Sequence, residues 1–209
     1  MPTDKPFVLC IDVGGPKKIG WATSTGEDGT GETLSYALNK LCDHLRSDNR
    51  AALGFEAPIW TPKRDDLSRI TSSRGGIEKI QNRAWSAGAG CGALGAALVL
   101  MPWCMTYIAK NAGPINTSVD LNKFLEFGGL FVWEAFVSGT MKTKGALHHD
   151  DARSACSAFL DRWPHITSDV PAEDAINHAV SAALVSGLLI DISELSLPAI
   201  VIGLAESNA

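Results

Sequence analysis

The chain has 209 residues, 45% hydrophobic and 20% charged, with a net charge of -5. That composition fits a globular protein with one sizeable core, and the acidic balance excludes a broad basic surface while leaving room for a local basic patch. Five cysteines, odd in number and without the paired spacing that zinc needs, predict free thiols in a reducing, cytoplasmic compartment, and no apolar signal-peptide core precedes Phe7.

Phe7 to Ile11 is a continuous apolar run, the pattern of a strand buried on both faces, and it ends on Asp12. The turn Gly14-Gly15-Pro16 leads into a second strand over Ile19 to Thr25, paired with the first; the loop Gly26 to Gly31 has room for a short edge strand. Leu34, Ala37, Leu38, Leu41 and Leu45 recur at helical spacing and predict a helix over Thr33 to Arg46. Ala51 to Phe55 is another apolar strand, ending in Glu56 and closed by Pro58. Thr61 to Ile80 is polar and mixed, a loop leading into a helix.

From Ala84 to Ala109 no charged residue occurs, a length sufficient to cross a bilayer. The Gly-, Ala- and Ser-rich first half and Pro102 favour a helix buried across a sheet instead, so no membrane partner is expected; the same segment offers a surface for a homodimer. Gly113 to Asn116 break the chain, and Gly129 to Val137 form an apolar strand interrupted by Glu134. Asp150 to Phe159 reads as a helix, Pro171 to Leu189 as a longer one with Glu173 and Asp174 at its positive end, and Pro198 to Leu204 as a last strand. The order predicts a single α/β domain, a mixed sheet covered by helices, with a helical insertion over about 61–128.

Asp12, Glu56 and Glu134 each stand in or at the end of an apolar strand, where an uncompensated charge is costly. Asp174 opens an Ala-rich stretch. Carboxylates that converge repel one another and require cations or protons. Mg²⁺ or Mn²⁺ is the expected cofactor, because such hard ions take oxygen ligands. Two of them about 3.5–4 Å apart activate water and stabilise the leaving oxygen in phosphodiester cleavage. The competing reading is four separate structural carboxylates.

Ile11-Asp12-Val13-Gly14-Gly15-Pro16-Lys17-Lys18-Ile19-Gly20-Trp21-Ala22 resembles the first hairpin of the RNase H-like superfamily, and is most similar to its Holliday-junction resolvase branch. Gly54-Phe55-Glu56-Ala57-Pro58 is similar to that superfamily's fourth-strand acid followed by proline. Val132-Trp133-Glu134-Ala135-Phe136 resembles the Glu-bearing strand of a predicted-nuclease family of unknown function within it. Asp174-Ala175-Ile176-Asn177-His178-Ala179 resembles the closing helix, which reads Asp-x-x-Asp-Ala, with Asn177 where the second acid is expected. The resemblance implies an RNase H-like sheet, antiparallel in its first hairpin and parallel thereafter. It also implies a metal-dependent nuclease in which Asp12, Glu56 and Asp174 bind the ion and Glu134 is a further catalytic acid. On a helix Asp174, Asn177 and His178 would share a face, making Asn177 and His178 additional candidates.

The expected partner is a nucleic acid or nucleotide. The stretch from Pro62 to Arg83 is locally basic, and Lys63, Arg64 and Arg83 there, with Lys17, Lys18, Lys142, Lys144 and Arg153 elsewhere, are candidate phosphate contacts. Trp60, beside that loop, is the tryptophan best placed by sequence to stack on a base. Gly90-Cys91-Gly92-Ala93-Leu94-Gly95 matches the dinucleotide pattern literally but lacks a preceding strand, so its glycines read as close helix packing. His148-His149-Asp150-Asp151 contains potential ligands, although Asp150 or Asp151 reads better as a helix cap. The alternative function is a non-catalytic or nucleotide-binding member of the same fold.

Overall fold

The computed structural model describes residues 4–15, 17–47, 50–137, 145 and 147–204. Strands β1 (Phe7–Asp12), β2 (Gly20–Thr23) and β3 (Asp28–Thr30) form an antiparallel meander. Strand β4 (Arg50–Glu56) then lies parallel beside β1, and β7 (Gly129–Phe136) parallel beside β4. Both β6 (Thr117–Ser118) and β9 (Val201–Gly203) pair in parallel with β7, giving seven strands in the order β3-β2-β1-β4-β7-β6 with β9 off that path. An antiparallel first hairpin followed by parallel strands is the mixed sheet expected of an RNase H-like fold.

Alternation along each strand divides the core in two. Phe7, Leu9 and Ile11 of β1, Leu53 and Phe55 of β4, and Leu130 and Val132 of β7 face helices α1 (Leu34–Ser47), α3 (Gly88–Ala112) and α6 (His178–Ser186). Val8, Cys10, Ala52, Phe131 and Trp133 face the opposite way, against Phe124 of α4 (Leu121–Phe127) and Ala152, Ala155, Cys156 and Phe159 of α5 (His148–Arg162). Helix α2 (Gly76–Ile80) is a single short turn between strand and α3.

Pro171 to Leu189 does not form one helix, which corrects the sequence expectation. Ala175–Asn177 is a strand, β8, paired antiparallel with β5 (Trp60–Pro62), and α6 begins only at His178. The Asn177 side-chain oxygen accepts from the Ala179 and Val180 N–H groups, each at 3.1 Å, and so caps the helix start. Pairing with β5 engages the backbone groups that a longer helix needs, with Lys63 N–H on the Asp174 carbonyl at 2.7 Å.

Helix α3 is long and apolar enough to cross a membrane by length and composition, with 33% of its most apolar window buried. It packs on α1 and α6 through Ala97, Met101, Cys104, Met105 and Ile108, and leaves Leu98, Val99 and Trp103 exposed. The glycines of the literal Gly-x-Gly-x-x-Gly match differ in role. A Cβ on Gly90 would stand 2.5 Å from the Ala84 carbonyl oxygen, whereas nothing lies within 4 Å of one on Gly92 or Gly95. Close packing accounts for the first glycine alone.

Candidate metal centre

The register of the two central strands makes the site. Asp12 and Glu56 are the last residues of β1 and β4 and lie directly opposite each other in the parallel ladder. Both share strand parity with Cys10 and Ala52, so both side chains stand on the α5 side of the sheet. Helix α5 completes the group with Asp151. One carboxylate oxygen from each of Asp12, Glu56 and Asp151 lies within 4.8 Å of the others, and this cluster can hold a metal ion. Asp12 and Asp151 are buried and Glu56 is partly exposed. The carboxyl ends of parallel strands are where open α/β sheets characteristically hold ligands.

Gly20 explains how α5 reaches the strands. A Cβ at Gly20 would lie 2.3 Å from the His148 carbonyl carbon and 2.4 Å from the His149 nitrogen. Only a residue without a side chain lets the first turn of α5 rest on β2, opposite Asp12 in the hairpin. That first turn is closed by Asp150, whose carboxylate accepts the Leu147 N–H at 2.9 Å. The neighbouring acids thus divide the work, Asp150 capping the helix and Asp151 facing the sheet.

A base stands beside the three carboxylates. His148, half exposed, brings Nδ1 to 2.5 Å from Asp12 Oδ2. Cys10 lies on the same face, two residues before Asp12. Burial, then Cys156, then the Glu56 and Asp12 carboxylates push its thiol well above its ordinary range. Cys156, likewise buried, is pushed up to about 12. Both thiols are inert packing groups.

Glu134 does not join this cluster. Its parity with Leu130 and Val132 turns it to the opposite face, where it meets Arg74. Arg74 Nη1 and Nη2 donate to the two Glu134 oxygens at 2.9 and 2.5 Å, and Nε donates to Glu78 at 2.8 Å. Glu134 also accepts the Ile59 N–H at 3.1 Å. All three side chains are buried. Burial opposes the charge on Arg74, but the Glu134 and Glu78 carboxylates outweigh it and hold the guanidinium charged, its pKa raised. The bidentate geometry identifies a structural ion pair rather than a free catalytic acid.

Asp174 is exposed and lies in the coil before β8, outside the acidic cluster, so it is not its third member. Asn177 is fully buried and spent on capping, with its amide nitrogen on the Leu197 carbonyl at 2.8 Å. His178 Nε2 pairs with Thr61 Oγ1 at 3.1 Å, and burial lowers its pKa. Trp60 is buried under the Arg74 guanidinium, 4.5 Å from ring to charge, and unavailable to a base.

Among the proposed phosphate contacts, Arg64 is committed to Glu173 and to the carbonyls of Arg69, Ser72 and Ser73, which organises the 61–76 loop. Arg153 is committed to Asp28 and Asp150. Lys17, Lys18, Lys63 and Arg83 are exposed. Lys142 and Lys144 lie outside the described residues.

Comparison with protein-family models, curated proteins and solved structures gave no match. The geometry therefore carries the functional reading alone. It also names the residue that sequence reasoning passed over. His148, Asp151, Ala152, Ala155, Cys156 and Phe159 fall at spacings of three and four, so Asp151 sits on the buried stripe of its own helix. An acid in line with an apolar stripe is the signal that distinguishes Asp151 from its capping neighbour.

Proposed function

We propose that this protein is a metal-dependent nuclease of the RNase H-like superfamily, hydrolysing phosphodiester bonds of DNA or RNA in the cytoplasm. One observation carries the reading: Asp12, Glu56 and Asp151, from two adjacent strands and one helix, bring carboxylate oxygens within 4.8 Å of one another at the carboxyl edge of the sheet. An all-oxygen set of this kind suits Mg²⁺ or Mn²⁺, with water and phosphate oxygens completing the shell. Three carboxylates, with Glu134 bound to Arg74, suit one tightly held ion. Such an ion supplies Lewis-acid polarisation and a water of lowered pKa. Asp12, Glu56 and Asp151 would hold it. His148 orients Asp12 through its Nδ1 contact, as outer groups commonly orient metal ligands. Lys17 and Lys18, exposed in the turn after β1, would take phosphate charge.

The test is incubation with labelled single-stranded, duplex and branched DNA and RNA in Mg²⁺ and in Mn²⁺. Cleavage is expected, lost in Asp12→Asn and Asp151→Asn and retained in Asp174→Asn. Failure of Mn²⁺ to bind by titration calorimetry ends the proposal. The internal commitment of Arg64 and Arg153 favours the second reading, a binding member of the fold; metal and nucleotide binding without cleavage of any substrate would select it.

A further inference from the structure

A cleft lined by Glu56 lies between the chain entering α3 and the end of β7. Its floor is the Arg74–Glu78–Glu134 group, whose charged atoms are already engaged with one another. Its lining is mostly apolar and includes Trp85, Phe136 and Val137. Trp85 is held in place by its indole N–H, which donates to the Ser72 carbonyl at 3.1 Å. Gly90 lets the first turn of α3 approach the Ala84–Trp85 backbone so closely that a Cβ there would meet it at 2.5 Å. Arg83 also lines the cleft, an exposed cation with no ion pair or side-chain hydrogen bond among the described residues.

The dimensions and chemistry narrow the occupant. The cavity measures about 100 Å³, well below the several hundred Å³ that enclose a whole small ligand. It takes one inserted group of a longer molecule. An aromatic and apolar wall beside the Arg83 guanidinium suits a flat, uncharged ring attached to a phosphate. Bases in a duplex are stacked and paired, and the cleft has no room for a base pair.

We propose that this cleft receives one unstacked base of a single-stranded nucleic acid, packed against Trp85, with the adjoining phosphate on Arg83, and so selects single strands over duplex. The inference rests on the nuclease reading, because Glu56 both lines this cleft and belongs to the acidic cluster. Trp85 and Arg83 are assigned to binding, not to the chemistry.

The experiment measures fluorescence anisotropy of labelled single-stranded DNA and RNA oligonucleotides, and of the matching duplexes, in EDTA so that nothing is cleaved. Single strands are expected to bind more tightly than duplexes. Trp85→Ala should weaken single-strand binding about fivefold to a hundredfold, the range for loss of one stacked base, Trp85→Phe should restore most of it, and Arg83→Ala should flatten its salt dependence. The DNA and RNA arms decide which sugar is preferred. Mn²⁺ titration of the same variants reports whether the fold and the metal centre survive. Duplex binding as tight as single-strand binding, or single-strand binding indifferent to Trp85→Ala in a protein that still takes up Mn²⁺, overturns the proposal. Trp85-dependent binding without cleavage of any substrate overturns the nuclease reading and leaves the cleft assignment standing.

Discussion

Two groups of acids stand at the same edge of one sheet, on opposite faces. On the α3 side, Glu78 and Glu134 close around Arg74, which spends its guanidinium donors on them and on the Trp60 carbonyl at 3.2 Å. On the α5 side, Asp12, Glu56 and Asp151 converge, and His148 Nδ1 meets Asp12. The same residue type therefore does two jobs. A carboxylate with a fixed guanidinium partner fastens chain segments together, here the 61–76 loop to the central strands. Carboxylates gathered with their oxygens within 4.8 Å of one another can hold a metal ion. The difference lies in what each face of the sheet brings to the acid, not in the acid.

The largest expected effect breaks the first group. Arg74→Met leaves two carboxylates buried without their cation and should cost about 3–5 kcal/mol, measured by urea denaturation. Asp151→Asn, in contrast, removes a like charge from its neighbours and should leave the metal-free protein as stable or slightly more so. Equal losses from both substitutions would erase the distinction between the groups.

The next test sharpens it from the other side. Mn²⁺ at about 100-fold its dissociation constant should stabilise the protein by about 2.7 kcal/mol. Thermal unfolding should show that gain in the unaltered chain and in Asp174→Asn, and not in Asp12→Asn or Asp151→Asn. Gly20→Ala should act more weakly on stability, about 1–3 kcal/mol as a local overpacking. It should still abolish the Mn²⁺ shift, because the intruding Cβ displaces the first turn of α5.

The smallest effect concerns His178. Burial lowers its pKa in the folded state, so between that lowered value and its ordinary value the unfolded chain binds more protons than the folded one. Stability contributed by the neutral ring is present above the ordinary pKa and declines as pH falls toward the folded one. The slope of melting temperature against pH should flatten in His178→Gln, and a Mn²⁺ shift unchanged by that substitution would place His178 outside the metal centre.

Strand content was legible in the chain because apolar runs bounded by turns have few other ways to satisfy their backbone. The runs Phe7 to Ile11, Ala51 to Phe55 and Gly129 to Val137 became β1, β4 and β7. Parity within those runs also carried the face of each acid. Asp12 and Glu56 follow Cys10 and Ala52, whereas Glu134 follows Leu130 and Val132. Placing parity on a face requires the register, however, and register is a property of the assembled sheet. The helix over Pro171 to Leu189 failed for a similar reason. Its alanines favour a helix locally, but pairing with β5 and the Asn177 cap stop the helix at His178.

The sequence by itself determined the mixed sheet, the hairpin that ends β1 on a buried carboxylate, and a second apolar strand ending in Glu56. Only the tertiary structure decided which other acids join them. Arg74 lies far from Glu134 along the chain yet neutralises it in space. Asp151 lies far from Asp12 yet reaches it because Gly20 has no side chain to hold α5 away. Local pattern records what a segment can bury. Which charges meet depends on close approach between segments remote in sequence, and that approach is set by packing.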